Sequence, residues 1–411
     1  MTRLQVYRPV LVYPPEAFEE PTLRERARQR RIRPEVLEVL AWDYELVQQL
    51  QRRAPGHVAL RGGAAVQSLL PLDWQRGSLD VDVVTDLPPL AAGDLVHSIA
   101  SDFAALGPDF SFSPRRGPEG VPMTSYAVSL PLAIAQRAGL LIGGRLLLDI
   151  FHPGVLPPAV QIQTELLPFP PTREVPPFRA VEPAALLADK ILTLDIGPEG
   201  TGLRPAKLGD LPKQLYDTSR LAVVHAGGMR PVTFWAAFDA ALEVESRRLP
   251  RPRQRNDAAR QICGQLAALS ALDIGPATTQ EDYLRRIDPG ALPLLPAITT
   301  HRQRALDFAG ALLRADTGRS AFFWATAAAQ LLCLLRGMDR QNISGFVRLV
   351  EASRDLRLDG QGLRVLSAAL RPHFPSVRAL TPQPERLLWV LAVLAGEDVA
   401  LRWLDSATRR I

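Results

Sequence analysis

Apolar residues recur at helical spacing over most of this chain and alternate with polar ones over only a few short runs. Residues 14–53 read as helical. Glu16 to Arg31 is strongly charged, and Arg33 to Arg53 places Val36, Leu37, Val39, Leu40, Leu46, Val47 and Leu50 close to a helical repeat. A strand is predicted from His57 to Leu60, then the turn Arg61-Gly62-Gly63, a short helix from Ala64 to Leu70 and a loop from Pro71 to Arg76. Leu79 to Thr85 alternates with period two, so Val81 and Val83 share one face while Asp80 and Asp82 share the other. Leu95 to Leu106 predicts a helix, Tyr126 to Leu130 a strand, and Arg145 to Phe151 a further strand with Asp149 near its end. Pro153 to Arg179 is proline-rich and predicts irregular or edge-like chain.

Glu182 to Leu194 and Lys213 to Val224 read as helices on either side of a Gly/Pro loop, Ile196 to Pro212. Beyond about residue 230 the pattern is almost wholly helical: Phe234–Arg248, Asp257–Leu272, Ala305–Leu313, Ser320–Leu335, Ile343–Ser353, Gly362–Leu370 and Leu387–Ala395. Pro250–Asn256 and Gly275–Pro296 read as connections, and no internal repeat stands out. The longest apolar run, Ala321 to Leu335, is too short for a membrane span and contains Thr326 and Gln330, so it predicts a buried helix. With 411 residues the chain suits at least two domains, and the change of pattern sets them at 1–229 and 230–411.

Composition adds three points. Net charge is +5, a mild basic excess compatible with a polyanionic partner. The run RERARQRRIR (24–33) is either a solvated helix face or an RNA-contacting surface. Of 48 basic residues only Lys190, Lys207 and Lys213 are lysines. A lysine kept in so arginine-rich a chain suits a position that needs a compact, flexible point charge. The two cysteines, Cys263 and Cys333, form no disulfide or metal-binding pattern, and no signal peptide opens the chain; both fit a reducing cytoplasm.

The candidate chemistry concentrates in Val58 to Thr85. Two carboxylates on one face of a strand repel each other, and a divalent cation is the usual compensation. Gly62 and Gly63 stand where a strand hands over to a helix, so backbone N–H groups there are open to a phosphate. Asp149, between Leu148 and Ile150, is a third strand carboxylate that is costly unless paired or metal-bound. A phosphate-binding turn beside a carboxylate pair points to nucleotide chemistry.

These residues carry a resemblance. Arg61-Gly62-Gly63-Ala64-Ala65, followed by Arg76-Gly77-Ser78-Leu79-Asp80-Val81-Asp82, resembles the glycine turn and metal motif of the DNA polymerase beta-type nucleotidyltransferase superfamily. Within it the chain is similar to the AbiEii/AbiGii-like toxins of type IV toxin–antitoxin systems. Arg145–Phe151 resembles the strand of the third carboxylate, Ala185-Leu186-Leu187-Ala188-Asp189-Lys190 the helix ending in a family lysine, and Lys213-Gln214-Leu215-Tyr216-Asp217 the last motif. The five pieces keep the family's order over about residues 30 to 225. Two positions depart from it: Ala185 stands where an acidic residue is usual, with Glu182 close by, and Gln214 replaces the first acidic residue of the last motif.

The resemblance implies an α/β (α+β) fold: a nucleotidyltransferase core with a small mixed sheet flanked by helices, followed by an all-α domain. It implies that Asp80 and Asp82 hold two Mg²⁺ ions, that Asp149 shares one and helps deprotonate the attacking hydroxyl, and that Gly62 and Gly63 admit phosphate oxygens. Lys190 would neutralise the triphosphate, with Arg76 and Ser78 as further contacts. The supporting carboxylate is Asp217 or, in the preceding loop, Asp210. An i to i+4 pair with Lys213 is a structural alternative for Asp217. The implied substrate is an NTP and the favoured acceptor is RNA, the tRNA 3′ end, with a cognate antitoxin as a possible partner and no membrane association. A small-molecule or protein acceptor, and a non-catalytic nucleotide-binding module, remain alternatives. A phosphate on Ser78 would bring about −1.5 to −2 charges beside the triphosphate, so a phosphomimic there is expected to be inactive.

Overall fold

Pro34, Pro89, Pro183, Pro231 and Pro384 each occupy the first position of a helix. There the fixed φ suits the helical turn, and the missing N–H has no intrahelical partner to lose. The 37 prolines thus punctuate a largely helical protein. The computed structural model describes residues 10–117, 121–141, 144–162, 177–196, 200, 209–247, 249, 251–272, 274–297, 302–308, 321–354, 356, 358, 360–374 and 383–408. The chain divides into two compact units, one running to Leu186 and the other taking up the chain from Leu187.

The first unit is built on a mixed sheet, seven-stranded among the described residues, in the order β3-β4-β5-β2-β1-β7-β6. Its strands are β1 (Val58–Arg61), β2 (Asp80–Thr85), β3 (Ser111–Arg115), β4 (Met123–Ser129), β5 (Leu146–Phe151), β6 (Ala159–Gln161) and β7 (Arg179–Val181). β2 runs antiparallel to β1 and parallel to β5. The helices of this unit are α1 (Glu20–Arg30), α2 (Pro34–Arg53), α3 (Gly62–Leu69), α4 (Pro89–Ala104) and α5 (Ala133–Arg137). Helices α2 and α3 pack on β1 and β2. Val81, Val83, Leu146, Leu148 and Ile150 turn into the core on alternate strand positions.

Helix α2 is buried on every side, polar residues included. Its Glu38 carboxylate accepts from the N–H groups of Ile134 and Ala135 at the start of α5, where a helix N-terminus favours an anion. Its Glu45 accepts from the N–H groups of Val12 and Tyr13 and from Gln49 Nε2. Glu38 and Glu45 thus accept from backbone N–H groups of a neighbouring segment, which ties that segment to the helix.

Helix α6 (Pro183–Leu192) follows β7. The second unit is helical: α7 (Leu211–His225), α8 (Pro231–Ser246), α9 (Arg255–Ser270), α10 (Ala277–Ile287), α11 (Ala321–Asp339), α12 (Ser344–Ser353), α13 (Gly360–Leu370), α14 (Pro384–Ala395) and α15 (Glu397–Thr408). Helix α11, the predicted buried run, packs against α7, α9 and α14 and buries Trp324, Leu331, Leu332, Cys333 and Leu334. Among the described residues no helix is long and apolar enough to cross a membrane.

The predicted α/β core and helical second half are both present. Several expectations at the level of elements are corrected. Helix α4 starts at Pro89, ahead of the predicted Leu95. Gly275–Pro296, read as a connection, contains α10 and a 3₁₀ helix, Pro289–Ala297. The polar run TTQEDYLRRI hides the two residues, Tyr283 and Leu284, that anchor α10 in the core. Strand β3 went unread because SFSPR carries a proline, which a strand at the end of the sheet order tolerates. Most of Pro153–Arg179 lies outside the described residues, and its described ends supply β6 and β7. Lys207 and the end of the predicted helix Ala305–Leu313 also lie outside them.

Candidate active site

The period-two pattern of β2 sets its chemistry. Val81 and Val83 are buried, so Asp80 and Asp82 are half-exposed on the opposite face. The parallel ladder with β5 sets Asp82 beside Asp149 and Asp80 beside Leu147. In-register residues of neighbouring strands share a face, so the three predicted carboxylates lie on one face of the sheet. Ser125 of β4 continues the row beyond Asp149, and Arg61 of β1 flanks Asp82 on the other side.

The glycine turn abuts this face. Gly62 has φ +69°, a conformation that side-chain-bearing residues rarely adopt, and a Cβ there would overlap the Asp82 carboxylate. Gly62 opens α3, and Arg61, the residue before it, supplies no side-chain cap to the first turn. At Gly63 a Cβ would stand 2.8 Å from Ser78 Oγ and 3.2 Å from Arg76 Nη2. Backbone at the start of α3, a serine hydroxyl and a guanidinium thus lie close together, groups of the kind that can donate to phosphate oxygens.

Both loop side chains are buried and hydrogen-bonded. Arg76 is buried, its N–H donates to Gln67 Oε1 at 2.6 Å, and its Nη1 donates to the Gly77 carbonyl. Ser78 is 1% exposed, and its Oγ donates to the Asp80 carbonyl at 3.4 Å. A modification of that hydroxyl therefore requires the loop before β2 to open. Gln67 escaped sequence reading; the one signal was a glutamine in the otherwise small and apolar start of α3.

Lys190 and Asp217 belong to the second unit. Lys190 is 5% exposed on α6, and its Nζ lies 3.5 Å from Asp217 Oδ2 on α7 and donates to Gln214 Oε1 at 3.3 Å. Asp217 is fully buried. Gln214, a departure from the family pattern, still faces the lysine as a neutral acceptor. Asp210 is exposed at the N-cap of α7 and makes no side-chain cap. The pairing with Lys190 is a stronger account of Asp217 than a helical pair with Lys213.

The fit to a divalent cation comes from the backbone: two adjacent strands present three carboxylates, hard oxygen donors, to the same side. Among the described residues no three acidic, histidine or cysteine side chains are gathered so as to hold a metal ion. A family model, Nucleotidyl transferase AbiEii toxin, Type IV TA system, matches residues 48–306. That span is more than half of the chain and contains every candidate residue from Gly62 to Asp217. No curated protein matches the chain.

Proposed function

We propose a reaction from a fixed premise: the chain belongs to the AbiEii family of nucleotidyl transferase toxins of type IV toxin–antitoxin systems. The reaction is transfer of a nucleotidyl group from an NTP to an RNA acceptor, the tRNA 3′ end, which blocks translation. The observation that carries it is the placement of Asp80, Asp82 and Asp149 on one sheet face against the Gly62–Gly63 turn.

Asp80, Asp82 and Asp149 are the ligands for Mg²⁺, with two ions expected. When bound, the metal supplies charge neutralisation and polarisation of the phosphoryl oxygens. Gly62, Gly63, Arg76 and Ser78 fix the triphosphate for in-line attack. The acceptor hydroxyl attacks the α-phosphorus, its proton passes to Asp149, and the bond to the β-phosphate breaks to release pyrophosphate. Lys190, ion-paired with Asp217, is the residue assigned to neutralising the triphosphate. Residues 1–229 form the nucleotidyltransferase domain, and the helices of 230–411 shape the acceptor surface or meet an antitoxin.

The test is incubation of the purified protein with Mg²⁺, each labelled NTP and total tRNA. Label on RNA from one or more NTPs is expected, and Asp80→Ala abolishes both the transfer and growth inhibition. No transfer from any NTP, with antitoxin absent, refutes the RNA reading, while label on protein instead moves the acceptor to a side chain.

A further inference from the structure

The last residue of β1 brings a positive charge onto the acidic face. Arg61 lies opposite Asp82 in the β1–β2 ladder, and Asp82 lies beside Asp149 in the β2–β5 ladder. The Arg61 guanidinium carbon stands 4.0 Å from the centroid of the Phe151 ring. Phe151 is two positions beyond Asp149 on the same strand, hence on the same face. Because β2 separates β1 from β5, a side chain rooted at Arg61 and ending over Phe151 crosses β2 at the level of Asp82 and Val84. Its charged end is thereby held alongside both the Asp82 and Asp149 positions.

Like charges directly across a strand pair destabilise a sheet. A guanidinium is charged at every physiological pH, weakly hydrated and flat enough to lie on an aromatic ring. We propose that Arg61 is a positioning residue, the built-in counter-charge of this face. It steadies Asp82 and Asp149 in the metal-free protein and lowers the affinity of the face for a divalent cation. The inference rests on the reading that Asp80, Asp82 and Asp149 are the cation's ligands. It gives Phe151 a part as well, as the ring that keeps the guanidinium from swinging away.

The direction of the effect separates this role from simple packing. A packing residue, once removed, loosens the ligands and weakens metal binding. A counter-charge, once removed, leaves a more negative face that binds metal more tightly. A unit charge a few ångströms from a divalent ion in a water-like dielectric changes affinity by roughly tenfold.

The experiment is Mn²⁺ titration of chelator-treated protein, read from the paramagnetic resonance signal of free Mn²⁺, with thermal unfolding of the metal-free protein alongside. Arg61→Gln is expected to bind Mn²⁺ roughly tenfold more tightly than wild type and to unfold several degrees lower without metal. Arg61→Lys keeps the charge and is expected within about threefold of wild type. Asp82→Asn is expected to lose most of the binding. If Asp82→Asn loses binding while Arg61→Gln binds no more tightly than wild type, the counter-charge role is wrong and the carboxylate reading stands. If Asp82→Asn binds like wild type, the ligand reading fails and takes this inference with it. Should Arg61→Gln fail to fold, the double variant with Asp82→Asn decides: recovery of folding supports the counter-charge, and continued failure overturns it.

Discussion

Ser78 occupies a place with almost no spare room. Its hydroxyl closes against Gly63 and the Asp80 carbonyl, one residue type within a tight loop. An aspartate there is larger, negative and next to a turn suited to phosphate. We expect Ser78→Asp to lose transfer activity completely, whereas Ser78→Ala, which removes one donor, loses roughly tenfold. Comparing the two rates with one labelled NTP checks this, and equal activities would contradict the cradle. At this scale the sequence was informative wherever geometry is periodic. The Asp80/Asp82 face followed from alternation, and Gly62–Gly63 from the turn that a strand-to-helix junction needs. Arg61 and Gln67 were not legible as site-shaping residues, because their importance comes from partners on other elements: Phe151 on β5 and the Arg76 N–H in the loop.

Helices α6 and α7 meet through a buried ion pair, Lys190 with Asp217, supported by Gln214. Removing one member of such a pair leaves an uncompensated charge in the interior and costs about 3–5 kcal/mol, whereas replacing both with apolar residues of similar size is often neutral. Asp217→Asn is accordingly expected to lower the thermal unfolding midpoint strongly. The double variant Lys190→Met/Asp217→Leu is expected to recover most of it while remaining inactive. If the double variant regained transfer activity, the lysine would be structural only. Elements with long, regular apolar spacing, such as α2, α7, α9 and α11, were readable to within a few residues. β6 and β7 are three residues each, too short to show a period, and they exist because β1 offers its other edge to β7.

At the scale of the whole molecule, the described carboxyl groups with a shifted pKa divide by burial. Burial pushes Glu45 up to about 7 against the hydrogen bonds from Val12, Gln49 and Tyr13. Burial also raises Glu38, Glu385 and Glu397. The groups held low by arginine neighbours, Glu20 and Glu25, sit at the surface. An acid with a raised folded-state pKa binds its proton more tightly when folded. Its contribution is complete below the unfolded value near 4.5 and is lost as pH rises through the folded value. Stability should therefore fall between about pH 4.5 and 7, by on the order of 3 kcal/mol from Glu45 alone. Thermal unfolding at intervals across that window checks the sign. Glu45→Gln, which imitates the protonated acid, should flatten the slope, and an unchanged slope would remove Glu45 as its cause. None of this was visible in the sequence, where Glu45 is one polar residue among the many of α2 and nothing marks that the helix is enclosed on all sides.

The parallel pairing of β2 with β5 has a consequence in time. A ribosome releases Asp80 and Asp82 long before it makes Asp149, with β3 and β4 still to come in between. Parallel strands cannot zip from a hairpin, and such distant pairings form slowly. With Asp80, Asp82 and Asp149 as the proposed ligands, the nascent chain lacks a complete carboxylate set until β5 (Leu146–Phe151) has emerged, and fragments ending before β5 should be harmless to the cell that makes them.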